Sequence, residues 1–304
     1  MKRIIQILLF LSITVAAGAQ ALPFVAADYS SAALSKAGAT ATEVSSTAMS
    51  AFGNIAAVPY SDNTADFALG YTSWQPGVTD SDVIYAGGAC KLTKDLALSV
   101  GVISGMYPKY DIVDDSGLGQ GSFKPSELQM KVGAAYRILP FLSAGAGFGY
   151  ASSSLTHQLS YSALMADVFL MSRLGGLKVA LGVSDLGSAV LSETGSRYAL
   201  PTAVTLGFGY DKELIDNHRI DLAVDADYYV EGAFAASVGA EYIFKDMIFV
   251  NAGYRYGGKS VIPSYASLGL GCRLCGIGLE LAYILPMAEV PMSNTLSLAL
   301  GYSF

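Results

Sequence analysis

At the carboxy end of the chain, Leu296, Leu298, Leu300, Tyr302 and Phe304 alternate with Ser297, Ala299, Gly301 and Ser303. Successive side chains of an extended strand project to opposite faces, so this segment has one large apolar face and one small, polar face. The alternation recurs upstream. Leu96, Leu98, Val100 and Val102 oppose Ala97, Ser99 and Gly101, and Leu142, Ala144, Ala146, Phe148 and Tyr150 oppose Ser143, Gly145, Gly147 and Gly149. Ile220, Leu222, Val224, Ala226 and Tyr228 oppose Asp221, Ala223, Asp225, Asp227 and Tyr229. The pattern predicts 14 strands, at 65–74, 81–91, 96–105, 124–137, 140–150, 161–173, 177–185, 201–211, 219–229, 233–244, 247–256, 263–272, 276–285 and 294–304. Most are near the about 9–11 residues that cross a bilayer at a tilt. The expected fold is all-β: a 14-stranded antiparallel transmembrane β-barrel with an N-terminal plug segment.

Proline and loop length test this reading. Proline has no N–H for a strand ladder. Pro76, Pro108, Pro286 and Pro291 fall between the predicted strands, Pro125, Pro140, Pro201 and Pro263 at strand starts, and Pro23 and Pro59 before the first strand. Connections should alternate short inside and long outside. Those at 91–95, 138–140, 174–176, 245–246 and 274–275 are short, and those at 106–123, 151–160, 186–200 and 286–293 are longer. Two depart from the rule: the inner connection at 212–218 is long and the outer one at 230–232 is short.

The amino end reads differently. Lys2-Arg3, the apolar run Ile4–Val15 and the small-residue stretch to Ala21 make residues 1–21 a secretory signal peptide, with cleavage after Ala19 or Ala21. Residues 22–64 do not alternate and are rich in Ala, Ser and Thr; they are too apolar for a disordered tail and are expected to pack into or under the barrel of residues 65–304 as a plug. Charge narrows the function classes. The chain carries 18 basic and 25 acidic residues, and loss of Lys2 and Arg3 takes the net charge from −7 to −9. An acidic exported chain is a poor partner for nucleic acid. Mean hydropathy is +0.44 with 14% charged residues, yet no helical span stands out, as expected where strands rather than helices carry the lipid-facing surface.

Two amino-terminal motifs resemble a known family. Lys36-Ala-Gly-Ala-Thr-Ala41 is similar to a Gly-rich G-G-A-G-V-A segment, and Ala51-Phe-Gly-Asn-Ile-Ala-Ala57 to an Asn-Pro-Ala motif, with Ile55 where proline is usual. Together with fourteen strands after a plug, they resemble the PorV/PorQ branch of the FadL-like outer-membrane barrels, found with type IX secretion in Bacteroidetes-like bacteria. The resemblance implies a protein of the bacterial outer membrane, in contact with its lipid. It would bind a secretion-system partner or cargo, with Gly38, Asn54 and Ala56 as plug-motif residues. The alternative it implies is a FadL-like passive channel for small hydrophobic compounds.

Chemistry is sparse. Alternation points Glu127, Gln129, Lys131 and Arg137 inward, with Asp221, Asp225, Asp227, Glu241, Asn251, Arg255 and Glu280. The set Glu127, Lys131, Arg137, Asp221, Asp225, Asp227, Glu241 and Arg255 is either a polar pathway favouring cations or polar solutes, or a set of opposite charges that pair and fill the interior. The abundance of inward Gly and Ala leaves room for a plug or small ligand. Cys272-Arg-Leu-Cys275 spans a predicted hairpin without a redox fold or second ligand pair, and its oxidation state is open. His157 follows Ser152–Ser154, but no G-x-S-x-G is present, and His218 lies at the opposite rim. Gly117-Leu-Gly-Gln-Gly121 lacks the strand-to-helix context of a nucleotide loop. Trp74 and the tyrosines read as interface anchors. No catalysis, cofactor or metal is expected.

Overall fold

The computed structural model describes residues 21–113, 118–156, 159–188, 190–191, 197–257, 262–287 and 290–304. The expected signal peptide up to residue 20 lies outside these, as does His157. The strands are β1 (Ala65–Trp74), β2 (Ser81–Lys91), β3 (Leu96–Met106), β4 (Tyr110–Val113), β5 (Gly119–Phe123), β6 (Ser126–Leu139), β7 (Leu142–Ser154), β8 (Ser160–Leu174) and β9 (Leu177–Gly187). They continue as β10 (Val190–Leu191), β11 (Arg197–Tyr198), β12 (Ala203–Ile215), β13 (His218–Tyr229), β14 (Phe234–Phe244), β15 (Ile248–Tyr256), β16 (Tyr265–Leu274), β17 (Ile277–Ile284) and β18 (Leu296–Ser303). Fourteen of them close into one antiparallel barrel; β4–β5 and β10–β11 are separate two-stranded hairpins in the outer loops.

The barrel closes where β1 meets β18, from Asp66 opposite Ser303 to Ser73 opposite Leu296. The carboxy-terminal alternation explains both sides of that seam. Leu298, Leu300 and Tyr302 are about half exposed on the outside, and Ser297 is fully buried on the inside. The same outward rank of large apolar side chains runs round the wall, with Leu69, Val100, Val132, Phe148, Val168, Phe208, Val224, Val238, Val250, Leu270 and Leu279 all exposed. Such a surface is stable against acyl chains and unstable in water. Among the described residues no helix is long and apolar enough to cross a membrane.

The predicted strands and their order stand, and three details change. The connection at 212–218 shrinks to the turn Asp216–Asn217, because β12 continues to Ile215. Asn217 takes the left-handed conformation this tight turn needs, with φ 67°. The exception to short inner turns therefore disappears. Pro125, Pro140, Pro201 and Pro263 stand in the connections before β6, β7, β12 and β16 rather than in the strands themselves. Trp74 is not an interface anchor: it ends the inward face of β1, 7% exposed, with its ring edge-on to Tyr29 at 4.7 Å. Its place in the alternation, in step with Gly70 and Thr72, put it inside.

Residues 21–64 form three short 3-10 turns (Pro23–Ala26, Ser50–Phe52, Ile55–Tyr60) and one helical turn, α1 (Ser31–Ser35). They lie against inward-facing strand residues. Ala21 donates to the Ala199 carbonyl near the long-loop rim, while Lys91 reaches the Ser61 carbonyl at the short-turn rim. Between these ends, Ser31 is held by Tyr85 of β2 and Ser297 of β18, Lys36 by Glu241 of β14, Ala41 by Asp225 of β13, and Ala56 by Ser143 of β7.

Inward glycines make this contact possible. A Cβ at Gly87 would lie 2.5 Å from the Ala48 carbonyl oxygen, at Gly133 2.6 Å from Ile55, at Gly145 2.5 Å from Ile55, and at Gly207 2.6 Å from Ala41. Gly101 would meet Phe52, Gly209 Thr42, Gly253 the Lys36 backbone and Gly269 Ser35. The small, inward half of the alternating pattern is thus the surface on which the amino-terminal segment rests.

Candidate functional site

The amino-terminal segment leaves two cavities in the lumen. The larger, ≈ 160 Å³, lies in the outer half. Its apolar wall includes Val25, Ile103, Phe52 and Phe169, and its polar wall includes Asp28, Asp225, Asp227, Tyr229 and Arg255. The smaller, ≈ 30 Å³, lies towards the short-turn rim, beside Asp66, Arg273 and Glu280. Ser30, Ala32, Ser46 and Met49 line both. The two cavities therefore adjoin along the lumen, with these four residues of the amino-terminal segment between them.

The eight inward charged residues named from the sequence do not converge on one point. Lys131, on β6, contacts Asp167 of β8 at 2.8 Å and Asp185 of β9 at 2.7 Å, with all three side chains buried. Glu241 pairs with Lys36 at 3.1 Å, and Lys36 also pairs with Glu43. Asp221, near the short-turn rim, accepts from Lys178 at 2.5 Å. Arg137 lies over the Tyr60 ring, 5.1 Å from its centroid. Glu127 accepts from the Tyr107 hydroxyl at 2.8 Å. Only Asp225, Asp227 and Arg255 of the eight line the larger cavity. Arg255 donates to Asp227 at 3.1 Å, Tyr229 at 3.1 Å and Ser237 at 2.9 Å, so most of its fork is occupied by the wall. Most of the inward charge thus pairs and joins strand to strand or strand to segment. A buried pair of this kind tolerates the loss of neither partner.

The plug-motif residues are internal. Gly38 follows α1, and its amide donates to the Ala33 carbonyl at 2.9 Å. Its φ of +82° and the Asp28 carboxylate, 2.7 Å from where a Cβ would stand, both require glycine. Asn54 Oδ1 accepts from the Ala56 amide at 2.9 Å, while its Nδ2 donates to the Ala41 carbonyl at 2.6 Å. Ala56 is wholly buried and packs against Gly145.

Sequence reasoning missed Asp28, Lys36, Asp167, Lys178 and Asp185. Alternation along β8 and β9 carried the signal for Asp167 and Lys178. Asp185 needed the structure: β9 carries a bulge, the pairing jumping from Val168–Val183 to Ala166–Leu186. Asp185 sits in it with φ 56°, its amide donating to Asp167 at 2.7 Å. Asp28 lies on the segment, where no period exists to place it. Burial raises its pKa from the ordinary 3.8, with the Arg255 charge opposing and Asp227 adding to the rise.

Cys90, Cys272 and Cys275 are free, and the last two are exposed at the hairpin between β16 and β17. Ser152–Ser154 belong to β7 and His218 opens β13, where its Nδ1 lies 2.5 Å from the Tyr242 hydroxyl. No group of three or more His, Cys, Asp or Glu residues able to hold a metal occurs among the described residues.

The barrel's likeness to solved structures is extensive in shape and slight in sequence. The toluene transporter TodX of Pseudomonas putida superposes with a TM-score of 0.62 at 13% identity, over 90% of this chain and 97% of that one. The two chains share one barrel fold. The toluene transporter TbuX of Ralstonia pickettii gives 0.60 at 10% identity over 90% and 97%, and a Pseudomonas aeruginosa FadL homologue 0.55 at 11% over 95% and 100%. No protein-family model matches the chain, and no curated protein does. A closed antiparallel barrel with this lipid-facing exterior is a protein of the bacterial outer membrane, and the structures it resembles are two toluene transporters and a FadL homologue.

Proposed function

We propose that the protein is a passive, non-enzymatic outer-membrane channel for small, largely hydrophobic compounds, with residues 22–64 acting as its plug and gate. The observation that carries this reading is the pair of adjoining cavities. A solute entering from the long-loop rim has a chamber of ≈ 160 Å³ to occupy, and Ser30, Ala32, Ser46 and Met49 stand between it and the next. All four sit on the segment rather than on the wall, so a shift of that segment joins the chambers without opening a strand ladder. The neighbouring toluene transporters share the architecture, which supports the reading by analogy of fold.

Secretion-partner binding, as in the PorV/PorQ branch, rests on the two amino-terminal motifs. Gly38, Asn54 and Ala56 contact the chain itself, and Asn54 and Ala56 are buried, which leaves that reading no exposed motif for a partner to recognise.

Uptake of a labelled single-ring aromatic is the test, in cells whose own hydrocarbon channels have been deleted and which express this chain. Faster uptake than in cells with empty vector, and a leakier membrane when residues 22–60 are removed, is the expected result. Unchanged uptake, with a secretion translocon captured by crosslinking from outer membranes, overturns it.

A further inference from the structure

The larger cavity has the size of one aromatic ring and the wrong lining for a bare hydrocarbon. A closed, wholly apolar cavity of about 150 Å³ is known to stay dry and take up benzene. This one measures ≈ 160 Å³ but has a mixed lining. Val25, Ile103, Phe52 and Phe169 can cover a ring's faces. Asp28, Asp225, Asp227, Tyr229 and Arg255 line it as well. Asp227 is held by Arg255, but the Asp28 carboxylate has no Lys or Arg nitrogen within ion-pair distance among the described residues. Asp225 accepts the Ala41 amide with Oδ2, while its Oδ1 and the Arg255 Nε are buried without a hydrogen-bond partner.

Resting on the channel reading above, we propose that the compound held here is a phenol-type aromatic, one ring carrying a hydroxyl, rather than an unsubstituted hydrocarbon. A hydroxyl is at once a donor and an acceptor. It can give its proton to a carboxylate oxygen of Asp28 and accept from the Tyr229 hydroxyl. Toluene in the same place takes water from these groups and returns nothing. Leaving charged groups unsatisfied in a closed space is what makes a hydrogen-bonding site reject the analogue that lacks the polar atom. A neutral hydroxyl also avoids the desolvation cost that a full ammonium would bring.

The sole tryptophan reports on this cavity, since Trp74 packs on Tyr29, which lines it. The experiment titrates the full chain in detergent with phenol and with toluene, reading Trp74 fluorescence and heat of binding. Wild type should bind phenol at least about tenfold more tightly than toluene, the equivalent of one hydrogen bond to a charged group. Asp28→Asn and Tyr229→Phe should each weaken phenol about tenfold and leave toluene unchanged. Ala27→Phe, which puts a ring into the cavity, should abolish both. Heat-modifiable gel mobility identifies any variant that has failed to fold, and Asp28→Asn keeps the test open should Tyr229→Phe fail. Toluene binding as tightly as phenol, and indifferent to Asp28→Asn, overturns the inference while leaving a hydrocarbon channel standing. Absence of binding by either compound, together with no uptake by cells, removes both the inference and the channel reading.

Discussion

Asn54 Nδ2 donates to the Ala41 carbonyl oxygen across 2.6 Å, joining two turns of the amino-terminal segment thirteen positions apart. Its other amide atom caps the 3-10 turn that packs on β6 and β7. Asn54→Ala leaves the Ala56 amide and the Ala41 carbonyl without these partners in a buried place. The expected cost is about 1–3 kcal/mol. The loss should fall on the segment: limited proteolysis should cut within residues 22–64 faster than in wild type, while the barrel keeps its heat-modifiable gel mobility. Equal cleavage rates would show that the cap holds nothing.

Lys131→Met should be severe. It leaves Asp167 and Asp185 buried together, each having lost its counter-charge. Breaking a buried pair by removing one partner costs about 3–5 kcal/mol. Urea unfolding from micelles should show that loss, and the triple replacement Lys131→Met with Asp167→Leu and Asp185→Asn should recover part of it. If Lys131→Met unfolds at the wild-type midpoint, the triad does not hold β6, β8 and β9 together.

The inward glycines are tested by filling one of them. At Gly145 a Cβ would stand 2.5 Å from Ile55 and 2.8 Å from the Ala56 amide. Gly145→Val should displace the segment at a cost of about 1–3 kcal/mol of overpacking and raise solute leak through reconstituted vesicles. Ala134→Val, on the lipid face of β6, is the control and should change neither stability nor leak.

Asp28 predicts the pH response of the segment. Its folded pKa is raised by burial above the ordinary 3.8, so between those two values the folded state holds more protons than the unfolded state. Stability then falls as pH rises through that window and stays lower above it. Hydrogen-exchange protection in residues 21–40, corrected for the intrinsic pH dependence of exchange, should be greater at mildly acid pH than at pH about 8. Asp28→Asn should flatten its own share of that dependence. An unchanged pH profile in the variant would place the titration elsewhere.

Strand positions and the closed, lipid-facing architecture were legible because one period governed every strand. Large apolar residues at even spacing and small ones between them leave little freedom in register, since a one-residue slip would put Leu298 and Leu300 into the lumen. Trp74 obeyed that period; the error came from treating an aromatic as an anchor without counting its parity. The cavity was not legible. Val25, Asp28 and Phe52 come from a segment without periodicity, and Asp185 enters through a bulge that breaks the count on β9. Alternation also marked Asp221, Asp225 and Asp227 as one cluster, whereas pairing with Lys178 takes Asp221 out of it. Which inward charges face open space depends on partners brought from other strands, and spacing along one strand does not encode that.

Because residues 21–64 precede every strand of the wall on which they rest, the order of assembly is constrained by geometry. The leading stretch touches Gly207 and Gly209 of β12, Gly239 of β14, Gly253 of β15 and Gly269 of β16, all translated long after it. None of those contacts can form until the later strands are in place. The amino-terminal segment therefore cannot complete its packing ahead of the wall, and the hollow and its filling reach maturity together.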